Sequence, residues 1–337
     1  MKRTIILAVV SLFILLSAQS DAQRKMNNLS SAPGAFSRIG FGARGIGMGN
    51  ALSTVKNGNL FTYYNPALSV FQEDNSFNAQ YTFLGLDRSL NFVSFTRRFD
   101  FYSKNDTIPG ERKPRSTAGV SAGLINAGVS NIDQRDNQGF KKGTLSTSEN
   151  MFYLSLANKF SEKLSVGITA KFYYYKLYEE VTSTSLGFDI GAIYSFNPDL
   201  SISLVLTDIN SQYKWDTSPI YGTDGVSSND KFPLFKKLGV AYFLRPYNVQ
   251  LAAEFASDNF GTNLIRFGAE YNIYEGLYLR GGIDNWFLNN GDEPAKPSLG
   301  FSYSRAFAGL KVGVDYAFQV EQYSTGHRHI IGLNFIF

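Results

Sequence analysis

The chain ends Ile330-Ile331-Gly332-Leu333-Asn334-Phe335-Ile336-Phe337. Ile331, Leu333, Phe335 and Phe337 make one apolar row, spaced by residues of the opposite face. That is the period of a strand with one face against an apolar medium. The same pattern recurs upstream. Leu164, Val166, Ile168, Ala170, Phe172 and Tyr174 alternate with Ser165, Gly167, Thr169 and Lys171. Val249, Leu251, Ala253 and Phe255 alternate with Gln250 and Glu254, and Leu310, Val312, Val314, Tyr316 and Phe318 with Lys311, Gly313 and Asp315. A membrane-crossing strand needs about 9–11 residues of this kind, apolar toward lipid and polar toward a lumen.

Reading outward gives fourteen candidate strands, at 75–84, 89–99, 116–126, 150–160, 163–176, 182–196, 199–208, 235–244, 247–257, 263–273, 275–285, 296–305, 308–319 and 326–337. An even count lets an antiparallel ribbon close on itself. The expected fold is therefore all-β, a transmembrane antiparallel barrel. Links at Ser161-Glu162, Asn197-Pro198, Arg245-Pro246, Tyr274 and Ala306-Phe307 are minimal, and they alternate with longer ones near 127–149, 209–234, 258–262, 286–295 and 320–325. Short periplasmic turns alternating with longer outer loops are what such barrels show. The links at 100–115 and Leu177 to Val181 break that alternation. The terminal row Ile331, Leu333, Phe335 and Phe337 resembles the signal that the barrel-assembly machinery reads during insertion.

The other end has the form of a cleaved signal peptide over 1–22. Lys2 and Arg3 precede an apolar run from Ile5 to Ala18, and Ser20-Asp21-Ala22 supplies small residues at −3 and −1 of a cleavage site. This places the chain in the outer membrane of a Gram-negative bacterium, with membrane lipids as its first partners. A mean hydropathy of −0.14 is too polar for a helical membrane protein. The absence of Cys excludes disulfides, thiolate metal sites and Cys nucleophiles. A net charge of +4 without a long basic run gives no indication of nucleic acid.

Residues 23–74 do not read as strands and are expected to form a hatch or plug, followed by the barrel at 75–337. Gly40, Gly42, Gly45, Gly47 and Gly49 permit close backbone approach, and Asn65-Pro66 marks a break. Lys171, Asp189, Glu254, Arg266, Glu270, Arg280, Asp284, Lys311 and Asp315 fall on the lumen side of the strand pattern. Both signs are present, which suits pairing across strands or with a plug better than an ion-selective lining. His327 and His329 share a strand face without a third ligand or a presented nucleophile. No catalytic set, metal site or cofactor is expected.

Ala43-Arg44-Gly45-Ile46-Gly47-Met48-Gly49-Asn50-Ala51, followed by Tyr64-Asn65-Pro66-Ala67-Leu68, resembles the N-terminal signature of the PorV/PorQ family, within the FadL-type outer-membrane barrels. The resemblance implies a fourteen-stranded barrel whose hatch carries Arg44, Gly45, Gly47, Met48, Gly49, Asn65, Pro66 and Ala67. It also implies accessory work in type IX secretion, with translocon components and cargo bearing a C-terminal sorting domain as partners. FadL-type relatives instead pass hydrophobic molecules such as long-chain fatty acids, which is the alternative function.

Overall fold

The structure is a computed structural model that describes residues 29, 31–102, 114–324 and 326–337. The stretch expected to be a signal peptide, 1–22, and most of the 100–115 link lie outside the described residues. Among the described residues, fourteen antiparallel strands close into one barrel. These are β1 (Ser76–Phe83), β2 (Arg88–Phe101), β3 (Ser116–Arg135), β4 (Lys141–Lys159), β5 (Leu164–Lys176), β6 (Thr182–Ser195) and β7 (Leu200–Ile209). They continue with β10 (Phe235–Leu244), β11 (Val249–Asp258), β12 (Asn263–Tyr274), β13 (Leu277–Phe287), β14 (Lys296–Phe307), β15 (Leu310–Gln319) and β16 (Arg328–Ile336). β8 (Gln212–Asp216) and β9 (Ser227–Lys231) form a separate hairpin between β7 and β10. The ring closes where β1 pairs with β16, from Ser76↔Ile336 to Phe83↔His329. The fourteen-stranded barrel expected from alternation is the fold that forms.

Two expected links carry strand structure. β3 and β4 stay paired to Arg135↔Lys141, so most of 127–149 is a hairpin rising beyond the membrane-facing rows. Its residues are polar on both faces, which removes the period-two contrast that marks a strand. The 209–234 link contains β8 and β9, where Tyr213 and Trp215 alternate over only five residues, too short a run to mark a strand.

The outward rows are apolar and open. Ile168, Leu238 and Leu299 are each 55% exposed, which a chain surrounded by water would not sustain across a whole belt. Lipid is the medium that makes this arrangement favourable, because the closed ring pairs the backbone of the wall strand to strand. The inward rows are small and polar, and residues 31–72 pack inside them.

One end of the barrel carries the short turns together with residues 75 and 337, joined by Asn75 N to Phe337 O at 3.0 Å. We call this the turn end, and the opposite one the loop end.

Candidate functional site

The N-terminal segment is bolted to the wall where the wall has no side chains. A short helix, α1 (Ala43–Gly47), lies against β13, β14 and β15, with Ala43 and Ile46 packed on Ala317 and Ile330. A Cβ on Gly47 would come within 3.3 Å of Gly300 Cα. Met48 is fully buried and its carbonyl sits over Gly268. Gly49 turns the chain with φ +58°, its backbone seated against Ile283 and the Phe267 carbonyl. Gly45 lies under the Tyr64 hydroxyl, which accepts from Phe41 N at 3.1 Å.

Asn65, Pro66 and Ala67 occupy the opposite wall. Asn65 caps the 3₁₀ turn of Pro66–Phe71: its Oδ1 accepts from Ala67 N at 2.9 Å, and its Nδ2 donates to Ser53 O at 2.8 Å. Pro66 occupies the first position of the turn, where an N–H would have no partner. The turn rests on β5 and β6 at Gly167 and Gly191, whose missing side chains leave room for Pro66 and Asn65.

The inward charges form three groups. In the first, Arg44 of the hatch donates to Glu270 from Nε and Nη2, at 2.9 and 2.7 Å. Arg280 Nε donates to the same carboxylate at 2.6 Å, and Arg280 Nη1 lies 3.7 Å from Asp315. Burial alone would lower the Arg44 pKa; the Glu270 carboxylate beside it raises it above the ordinary value. In the second group, Arg266 joins Glu254 and Asp284, each at 2.7 Å, and Asn50 Nδ2 of the hatch donates to Asp284 at 2.6 Å. In the third, Lys171 lies 2.8 Å from Asp189 and 3.1 Å from Asp208. Lys311 stands apart, half-buried near the turn end, with no ion pair to a described residue.

Asp208 was not among the expected lumen charges. Regular alternation from Ser201, Ser203 and Val205 would aim it at lipid. A bulge between β6 and β7, with Asp208 at φ +64°, turns it inward beside Thr207. An acid in a lipid-facing register is itself a signal for such a bulge. Lys237 follows the inward row of Phe235, Gly239 and Ala241 and was legible from the pattern.

Two cavities adjoin the N-terminal segment. The lower one, about 320 Å³, opens at the turn end and is polar, lined by Arg44, Asn57, Arg280, Ser302 and Lys311 among others. The upper one, about 340 Å³, reaches the loop end. Leu29, Ala35, Tyr63, Phe235 and Phe287 give it an apolar side. Arg38 and Lys237 project into the same space, and neither has a carboxylate within ion-pair distance among the described residues. Among the described residues Arg38 donates to the carbonyls of Pro33 and Ala32, at 2.7 and 2.9 Å. Burial pushes its guanidinium below the ordinary range, with Asp208 the strongest opposing charge.

The arm that roofs this cavity is held by the outer hairpin. Phe232, just after β9, covers Gly34 at φ +69°, where any side chain would strike the ring. Phe232 also meets Tyr173 and Tyr213 edge-on at 5.0 and 4.8 Å, and Tyr173 meets Phe36 of the arm at 6.3 Å. Phe232→Leu is expected to cost about 1 kcal/mol, because the smaller side chain leaves the glycine loosely covered. Hydrogen exchange should quicken over residues 31–40 and stay unchanged at α1; equal protection of the arm would show that the ring does not hold it.

The terminal row Ile331, Leu333, Phe335 and Phe337 faces outward beside β1 and β15. His329 also faces outward, with Nδ1 2.8 Å from the Tyr316 hydroxyl.

No family model matches the chain, and no curated protein does. Solved structures share the fold. The toluene transporter TbuX of Ralstonia pickettii superposes with a TM-score of 0.58 at 12% identity, over 88% of this chain and 97% of that one. The monoaromatic hydrocarbon channel CymD gives 0.59 at 15% identity, over 93% and 99%. The toluene transporter TodX of Pseudomonas putida gives 0.56 at 12% identity, over 88% and 96%. The PorV/PorQ resemblance rests on the motif residues alone.

Proposed function

We propose that this barrel carries a small amphipathic anion across the outer membrane, holding it in the upper lumen cavity. The observation behind this reading is the pairing of an apolar wall, Leu29, Phe235 and Phe287, with cations that have no carboxylate within ion-pair distance among the described residues, Arg38 and Lys237 foremost. An apolar body fits the first and a carboxylate or similar head neutralises the second. The transporters that share the fold are described as carrying toluene or monoaromatic hydrocarbons, neutral molecules that need no such cations. The cations therefore favour the fatty-acid-like alternative over a plain hydrocarbon.

Calorimetry with decanoate and with decanol tests this. Decanoate binding is expected to exceed that of the alcohol. Lys237→Met should weaken decanoate binding by about ten- to a hundredfold, the range for a charged hydrogen bond. Because Lys237 bonds to nothing in the described structure, thermal stability should be unchanged. Equal binding of the two ligands, indifferent to Lys237→Met, would refute the reading.

A second reading keeps the secretion role implied by the motif. The β3–β4 and β8–β9 hairpins project at the loop end, and Phe140, Tyr221 and Val226 stand exposed on them. They offer an apolar foothold for cargo with a C-terminal sorting domain, or for a translocon component. In a strain lacking the gene, periplasmic accumulation of such cargo would support this role, and unchanged export would remove it.

A further inference from the structure

The lipid-facing rows carry almost no charge. Within the described strands at the turn end, the outward rows hold two charged side chains, Arg97 on β2 and Arg305 on β14. Neither makes an ion pair or hydrogen bond to a described residue. Each instead lies over the ring two places further along its own row: Arg97 over Phe99 at 4.8 Å from the centroid, Arg305 over Phe307 at 5.6 Å. Both rings are closer to the membrane edge than the arginine that covers them, so both side chains lean out of the hydrocarbon toward the headgroups.

An unpaired guanidinium on a lipid-facing strand is unfavourable, and the penalty falls as it nears the interface. The abundant anion at that depth is the lipid phosphate, and a planar guanidinium binds phosphate through two parallel hydrogen bonds. The face of the ring holds the cation in place without supplying a counter-charge.

The register fixes how far apart the two arginines stand. Arg305 pairs with Val312, Val312 with Phe335, Phe335 with Phe77, and Phe77 with Phe95, two residues before Arg97. Four strand steps separate them, about 19 Å at the usual strand spacing. One headgroup cannot reach both. The face between them, Val312, Phe335, Phe77 and Phe95, is apolar and suited to acyl chains. It straddles the seam where β1 meets β16.

We propose that Arg97 and Arg305 are two separate phospholipid sites, each binding the phosphate of one lipid in the turn-end leaflet. Lys176 and Lys236, the outward lysines near the loop end, have no stacking ring among the described residues and are not assigned such sites.

The test is native mass spectrometry of the full barrel released from nanodiscs of phosphatidylethanolamine and phosphatidylglycerol. The unaltered protein is expected to retain two lipids, Arg97→Gln and Arg305→Gln one each, and the double variant none. Arg245→Gln, in a turn where Arg245 pairs with Asp199 at 2.6 Å, serves as a control and should retain both. Heat-modifiable gel mobility verifies that each variant is folded. Retention of two lipids by the folded double variant would overturn the proposal. So would equal retention from discs of a phosphate-free glycolipid, because the phosphate would then not be the group recognised.

Discussion

Glu270→Ala should unseat the hatch. The carboxylate is shared by Arg44 of the hatch and Arg280 of the wall, and all three side chains are buried. Removing it leaves two guanidinium groups facing one another, with Asp315, 3.7 Å from Arg280, as the nearest remaining counter-charge. Breaking a buried pair by deleting one partner costs about 3–5 kcal/mol. The lower cavity borders both arginines and lets water soften the loss, so the low end of that range is expected. The hatch also loses its only ion pair to the wall among the described residues. Planar-bilayer recordings should show a higher and noisier conductance than the unaltered barrel, and the heat-modified transition on gels should move to lower temperature. Glu270→Gln should fall between the two, since an amide oxygen still accepts one of the bonds. Arg280→Met leaves Arg44 and Glu270 joined and should disturb conductance less. A Glu270→Ala barrel as quiet and heat-resistant as the parent would mean that the hatch is held by packing alone.

Gly49→Val attacks the same closure by shape. Gly49 has φ +58°, and a Cβ there would lie 2.5 Å from Ile283 N and 2.6 Å from Phe267 O. A β-branched residue is strongly disfavoured at that φ, by roughly 1–2 kcal/mol, and overpacking adds about 1–3 kcal/mol. The neighbouring backbone belongs to strands of a closed wall and cannot retreat, so the hatch turn must lift. Asn50 would then lose its bond to Asp284 and the one it accepts from Tyr64, both 2.6 Å. The wall's own pairing is untouched, so insertion should proceed. Limited proteolysis of the folded barrel is expected to cut within 40–60, where the parent is protected, with a rise in conductance alongside. Gly139→Val is the control: Gly139 also has positive φ but lies at the β3–β4 tip with nothing within 4 Å of its Cβ position. Protection of the 40–60 stretch in Gly49→Val equal to the parent would show that the turn does not seal the lumen.

Most of the barrel was legible before any coordinates, because a lipid-facing strand must be apolar at every second residue and that constraint is written locally. All fourteen barrel strands lie where Leu164 to Tyr174 and its counterparts alternate, with ends shifted by a few residues or, for β3 and β4, by more. Beyond the membrane rows the pattern fades, so the β3–β4 projection reads as a loop, and the β8–β9 hairpin does too because Tyr213 and Trp215 alternate over only five residues. The hatch glycines suggested close packing, but not against what. Their partners are glycines of the wall, such as Gly268 and Gly282 opposite Met48 and Gly49, far away in sequence.

The charges divide in the same way. Period two assigns Glu254, Arg266, Glu270 and Arg280 to the lumen row, since a lipid-facing position would leave each unpaired in hydrocarbon. Which of them pair with one another, and which with Arg44 or Asn50, depends on where the hatch seats. Asp208 reaches Lys171 through a bulge, which its lipid-facing place in the alternation hints at without naming the partner. Arg38 and Lys237 of the upper cavity come from an arm beneath the outer hairpin and from β10, and only closure of the barrel brings them to one space. Sequence by itself thus determined the wall, because each strand meets the membrane residue by residue. Tertiary structure alone decided the contents of the lumen, because those contacts join residues that only the closed ring brings together.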